Sequence, residues 1–281
     1  MKQGLRSKLA TVLVVLAVLT GVTAGSIPAR AQEQAAPAYE IVLIHGLGGS
    51  AEIWDAVVPY LSGTFKVWTF ELAGHGKTAP IADPGIINEV ERLRNFMNVQ
   101  EINYPTIVGH GLGGLIALQY AIDYPADAHR LVLMDVAPRQ LASAEEKSAV
   151  ARQMVEDYEK FVALRFLNMS PNPDVTDRIV DIALRTDSAS FISLLMSSFD
   201  FDATDELYRM PVPLLVVGSQ LMFPDEESAE HLLKHYGWSE ARSLSFKRMP
   251  GMGHYMMLEK PVMTSSVLLS FGVTASHRFE E

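Results

Sequence analysis

His254 ends the run Pro250-Gly251-Met252-Gly253-His254 near the carboxyl end of the chain. An imidazole with an unperturbed pKa near ~6.5 can activate a water molecule or take a proton from an acidic substrate at neutral pH. Three other glycine-rich runs contain the residue types that surround a reacting centre: His45-Gly46-Leu47-Gly48-Gly49-Ser50, Gly74-His75-Gly76-Lys77-Thr78, and Val108-Gly109-His110-Gly111-Leu112-Gly113-Gly114. The first has only a superficial likeness to a phosphate loop, because no Gly-Lys-Ser/Thr follows it. The second reads as a turn that supplies backbone geometry rather than chemistry. His231 and His235 stand four residues apart, as a metal pair on one helix face would. No Glu lies between them as in the zinc-protease motif and no third ligand is identifiable, so they read as a solvated helix face. The chain has no cysteine, which excludes disulfides, thiolate metal sites and a cysteine nucleophile together.

Such residues need rigid elements to hold them. Short apolar runs at Glu40–Ile44, Lys66–Phe70, Thr106–Val108, Leu131–Met134 and Pro213–Val217 are each closed by Gly, Asp or Pro, the pattern of buried parallel strands. Helical patterns fall between them at Trp54–Leu61, Ile87–Val99, Leu112–Tyr124 and Glu226–Tyr236. This alternation predicts an α/β protein with a doubly wound, mostly parallel sheet, whose ligand site lies beyond the carboxyl ends of the strands. Between the fourth and fifth strands, helical stretches over Ala144–Met169 and Val175–Ser198, separated by Ser170-Pro171-Asn172-Pro173, read as an inserted helical cap. Its Phe161, Phe166, Met169, Phe191, Leu195, Met196 and Phe199 are expected in the core, with a few of them roofing an apolar pocket.

Of 281 residues, 48% are hydrophobic and 20% charged, which excludes a disordered chain and allows a sizeable core. The formal charge of −10 argues against a nucleic-acid partner. Lys2, Arg6 and Lys8 precede the apolar stretch Leu9–Val22, and Ala29-Arg30-Ala31 follows with a small-x-small pattern. Residues 1–31 therefore read as a cleaved secretory signal, too short in its apolar part for a membrane anchor. Its loss makes the remainder more acidic, and the mature protein is expected to be secreted or periplasmic, of bacterial type, with no stable membrane span. The expected organisation is then a first core part over 32–138, the cap over 139–210 and a second core part over 211–281. Oligomeric state is not legible in these patterns.

Together the four glycine-rich runs, in this order and on these elements, resemble the α/β-hydrolase fold superfamily, of esterase and lipase type, over roughly residues 40–270. Trp54 and Glu259-Lys260-Pro261 also match positions common in that family. The resemblance implies that the third run is a strand-to-helix elbow of Gly-x-Ser-x-Gly type, with the nucleophile's position occupied here by Gly111. It implies that His254 is the histidine of the triad, that Gly46 belongs to the oxyanion loop, and that the backbone N–H groups of Leu47 and Leu112 form the oxyanion hole. His110 occupies the variable elbow position and is expected to pack sideways. The family's usual acid position falls near Leu221, where Gly218-Ser219-Gln220-Leu221-Met222-Phe223-Pro224 carries none. Asp135, in Asp135-Val136-Ala137-Pro138, and Asp225 are the possible acids, although Asp225 also suits a helix N-cap.

Three functions are compatible with that pattern. The preferred one is a secreted member of the superfamily, inactive as a serine hydrolase, that binds a small apolar ester- or carbonyl-containing molecule without a cofactor. The second is a His254-based enzyme of non-hydrolytic or altered mechanism. The third is an ordinary ester hydrolase carrying a Ser-to-Gly replacement at 111. A carboxylate of Asp135 or Asp225 on His254 favours the catalytic readings, and a solitary, water-exposed His254 favours binding.

Overall fold

The computed structural model describes residues 39–139 and 142–273; the segment read as a secretory signal lies outside the described residues. Six strands, β1 (Tyr39–Ile44), β2 (Phe65–Phe70), β3 (Thr106–His110), β4 (Arg130–Met134), β5 (Leu214–Ser219) and β6 (Leu244–Met249), form one sheet in the order β2-β1-β3-β4-β5-β6. Every neighbouring pair is parallel. Successive side chains on a strand point to opposite faces, so the central strands feed two cores. Val42, Ile44, Ile107, Leu131, Leu133, Leu214 and Val216 pack on one face. Ile41, Leu43, Val108, Val132, Met134, Leu215 and Val217 pack on the other. Burial on both faces is why these strands read as unbroken apolar runs.

Helices cover each face. The single-turn α1 (Val58–Leu61) is preceded by a 3-10 turn at Ala51–Trp54, in place of the continuous helix expected over Trp54–Leu61. In α2 (Ile86–Val99), Ile86, Val90, Leu93 and Met97 recur at helical spacing and enter the first core, together with Leu115 and Leu118 of α3 (Leu112–Asp123). Between β4 and β5 the chain adds α4 (Ala144–Glu156), α5 (Tyr158–Phe166), α6 (Pro173–Leu184) and α7 (Ser188–Phe199). The helical stretch expected over Ala144–Met169 is split by Asp157, whose φ of −159° ends α4 while its carboxylate caps α5 by accepting Lys160 N–H at 3.1 Å. Phe161, Phe166, Phe191 and Leu195 of this insert join the second core.

The last elements are α8 (Ala229–Tyr236), α9 (Met256–Glu259) and α10 (Pro261–Val273). Helix α8 starts later than expected, because Pro224 closes a turn by accepting Glu227 N–H at 3.3 Å. Ser228, not Asp225, is its cap, accepting His231 N–H at 3.1 Å. No helix among the described residues is long and apolar enough to cross a membrane. After β1 the chain runs outward to β2 and returns on the other side as β3. The crevice of such a sheet opens where the strand order reverses, which brings the loop after β1 beside the turn after β3.

Candidate active site

The turn from β3 into α3 pivots on Gly111, at φ +52° and ψ −121°. Side chains other than hydrogen are strained there. Its flanking glycines answer a different need, close approach: a β-carbon on Gly109 would stand 2.3 Å from the Gly113 carbonyl oxygen, and one on Gly113 would stand 2.3 Å from that of His45. Across the crevice, Gly46 Cα would lie 3.7 Å from a β-carbon at position 111. Gly48 N–H donates to His75 Nε2 at 3.1 Å and Gly49 N–H to Gly46 O at 3.0 Å. The N–H groups of Leu47 and Leu112 have no protein acceptor among the described residues, and Leu112 is the first residue of α3.

Two buried histidines hold this loop. His45 Nδ1 donates to Gly46 O at 2.8 Å and its Nε2 accepts Leu72 N–H at 3.1 Å. His75 Nδ1 donates to Ala73 O at 2.8 Å, leaving Nε2 to accept Gly48 N–H. Both arrangements require the neutral ring. Burial pushes the pKa of His45 down to about 3, helped by His75, and burial likewise lowers His75 to about 4.

His254 stands over the elbow. Its Nδ1 lies 2.8 Å from Asp135 Oδ2, with the Asp135 side chain 2% exposed and that of His254 19%. Asp135 is itself fixed: Oδ1 accepts Ser219 N–H at 2.8 Å and Oδ2 accepts the Ser219 hydroxyl at 2.9 Å. Its backbone has a φ of +53°, uncommon for a non-glycine residue, and its N–H donates to Val217 O at 2.8 Å. With Nδ1–H directed to the carboxylate, the other ring nitrogen carries the lone pair. That nitrogen, Nε2, would lie 3.3 Å from a β-carbon at position 111. Of the two possible acids, Asp135 is therefore the one that stands on the histidine, although the usual position near Leu221 carries no carboxylate.

The other residues singled out fall around this pair. His110 is fully buried beneath it and donates from Nε2 to the His254 carbonyl at 2.9 Å, with the rings 4.2 Å apart. Burial, then the neighbouring His254, hold its pKa well below the usual range. Asp225 pairs with Arg248 at 3.5 Å rather than with His254, and Leu221 is exposed. His231 pairs with Glu227 at 3.5 Å, and no group of three metal-ligating side chains is present among the described residues. Ser219, which fixes the carboxylate, was not singled out by sequence reading; its place directly after Gly218 at the end of β5 is the signal that could have found it.

Above the elbow lies a cavity of about 280 Å³. Gly111, Leu112, Leu47, Asp135 and His254 line it from the sheet side, and Phe166, Met169 and Leu195 line it from the insert. Arg139 and Arg165 line it as well, two residues to which the sequence drew no attention. A larger groove of about 1100 Å³, bordered by Glu52, Glu71 and Arg92, shares no residue with it. The insert is tied to the histidine loop, because His254 N–H donates to Met169 O at 2.6 Å.

Similarity to known proteins extends over most of the chain. The model of the alpha/beta hydrolase family matches residues 41–264. An uncharacterized protein of Mycobacterium tuberculosis is 32% identical over 151 residues, which cover 53% of this chain and 43% of that one. The chain spans less than half the length of the first curated relatives it matches. The pimeloyl-[acyl-carrier protein] methyl ester esterase of Neisseria meningitidis is 28% identical over 210 residues, 70% of this chain and 80% of that one. A thermophilic esterase from Thermogutta terrifontis superposes with a TM-score of 0.73 at 20% identity, over 84% of this chain and 90% of that one. The chain belongs to the alpha/beta hydrolase family and is related to its esterases and lipases.

Proposed function

We propose that this protein hydrolyses a small carboxylic ester or lactone by general-base catalysis, with no acyl-enzyme intermediate. The observation that carries the reading is the one contact that a catalytic histidine needs and a vestigial one does not: His254 Nδ1 held at 2.8 Å on a fixed Asp135 while Nε2 faces the open side of Gly111. A water molecule above Gly111 replaces the missing hydroxyl. It transfers a proton to Nε2 as its oxygen bonds to the carbonyl carbon, and Asp135 stabilises the imidazolium without taking the proton. The carbonyl oxygen becomes an oxyanion that accepts from the N–H groups of Leu47 and Leu112, with the N-terminal end of α3 beneath it. When the tetrahedral species collapses, the carbon–oxygen bond to the alcohol breaks and Nε2–H returns its proton to the departing oxygen. No cofactor enters these steps.

In this reading α4–α7 act as a cap over the cavity, which limits the substrate to a short acyl or lactone group. A panel of p-nitrophenyl esters of increasing chain length tests it. Turnover by the native protein, abolished in His254→Ala and without a burst of one equivalent of p-nitrophenol, is the expected result; a burst or a trapped acyl adduct overturns the mechanism.

A second reading, binding without turnover, is favoured by the lack of any hydroxyl on His254 Nε2. Saturable binding of an ester that emerges unchanged is its signature.

A further inference from the structure

Arg165 is an unusual residue to find at this cavity. It lies on α5 between Val162 and Phe166, both buried, and it lines the same 280 Å³ space as His254 and Gly111. Its guanidinium has no hydrogen bond and no ion pair among the described residues. Burial pulls its pKa below the ordinary guanidinium value, opposed by the nearby Tyr255, in surroundings that also include Phe166, Met169 and Leu195. Arg139, from the loop after β4, lines the cavity too; its Nε is buried and without a partner.

Arg165 is only partly buried, and with no counter-ion among the described residues its guanidinium can pair with an anion that enters the cavity. The carboxylate nearest the dyad cannot serve: Asp135 already accepts from Ser219 twice and from His254. Arg165 and Met169 also border a second opening of about 570 Å³ on the outside of α4 and α5, where Glu156, Asp157 and Lys160 stand. Neither of these acids reaches ion-pair distance of Arg165. The charge at the cavity is thus left for something that enters it.

We propose that Arg165, with Arg139 as a second cation, receives a carboxylate on the acyl part of the substrate, so that the natural substrates are esters or lactones of dicarboxylic acids rather than neutral apolar esters. This rests on the hydrolytic reading above for its chemistry, but not for its binding. Arginine suits the task because its planar fork meets both oxygens of a carboxylate. The anionic end would sit on the cap side while the ester carbonyl sits over Gly111. Arg165 acts here as a specificity-determining residue, and no bond to it forms or breaks.

The test compares the mono-p-nitrophenyl ester of glutaric acid with p-nitrophenyl valerate, which has nearly the same length and no charge. The native protein should favour the charged ester in kcat/KM by about tenfold or more. Arg165→Met should raise KM for the glutarate ester about tenfold more than for valerate, Arg165→Lys should recover part of the difference, and added salt should weaken only the charged substrate. Circular dichroism checks that each variant is folded. Equal or better turnover of valerate by the native protein overturns the anion subsite and leaves the hydrolytic reading standing. Binding of monomethyl glutarate to the native protein by calorimetry, lost in Arg165→Met, with neither ester turned over, keeps the subsite and overturns hydrolysis. Absence of both binding and turnover overturns both.

Discussion

Nε2 of His254 faces the α-carbon of Gly111 at a distance that leaves 3.3 Å to the place of a β-carbon, so the imidazole and position 111 are in register. A hydroxymethyl group at 111 would put its oxygen within reach of the base without moving either element. Gly111→Ser is therefore expected to create a covalent serine hydrolase: a burst of p-nitrophenol, an acyl adduct visible by mass spectrometry, and labelling by a fluorophosphonate that leaves the native protein untouched. The φ of +52° makes the new side chain strained, and the variant should lose about 1–2 kcal/mol of stability. An unlabelled, folded Gly111→Ser protein would show that the oxyanion donors or the ring are out of line.

Asp135 sets the tautomer of His254 and must stay an acceptor to do so. In Asp135→Asn the amide keeps the shape and offers the ring the wrong partner, and turnover should fall by as much as about 10⁴-fold with little change in KM. Ser219→Ala removes one of the two bonds that hold the carboxylate and one accepted from Met222 N–H at 3.2 Å. A smaller effect is expected, roughly tenfold in kcat together with about 1 kcal/mol of stability. Steady-state kinetics and urea midpoints on the two variants separate orientation of the ring from loss of structure.

The parts of this fold that were legible in sequence share one cause, burial on both sides of a central strand. β1, β3, β4 and β5 announce themselves as apolar runs because both faces meet helices. β6, Leu-Ser-Phe-Lys-Arg-Met, pairs with one neighbour only, and Lys247 and Arg248 break its pattern. Asp157 is a further case: a charged residue inside a charged helical stretch gives no sign that it ends one helix and caps the next. At the site, the glycine-rich runs mark the loops that the strand order brings together, which is why Gly46, Leu47, Gly111 and Leu112 could be named from sequence. The pairing of Asp135 with His254 joins residues 119 apart and depends on where β4 lies relative to β5, which no local pattern encodes. Arg165 was invisible for the opposite reason, because an arginine near the end of a helix reads as solvated surface until the cavity is seen.

The amino-terminal reading can be checked directly, although residues 1–38 lie outside the described ones. The three cations, the apolar stretch and Ala29-Arg30-Ala31 predict cleavage after Ala31 on secretion. Intact mass and amino-terminal sequencing of protein recovered from a bacterial periplasm or culture medium should find Gln32 first. Retention of Met1 in a cytoplasmic fraction would remove the secreted assignment without touching the site.

Acid should loosen the loop after β1 before it protonates most carboxylates. His45 and His75 are held at about 3 and about 4, and His110 well below its ordinary value, whereas in the unfolded chain each returns to about 6.5. The folded pKa values are the lower ones, so the unfolded state binds more protons as pH drops below 6.5. Stability is accordingly level above that pH and declines from 6.5 toward 4, each histidine steepening the fall by up to about 1.4 kcal/mol per unit. Glu89, raised by burial against the nearby Arg92, acts in the opposite sense as carboxylates begin to titrate, so the histidine signal is cleanest above pH 5. Urea midpoints at pH 8, 6.5, 5.5 and 5 should trace that decline. In His75→Gln the side-chain carbonyl can still accept Gly48 N–H without titrating, and the slope below pH 6.5 should flatten. An unchanged slope would mean that His75 is not the group the acid attacks.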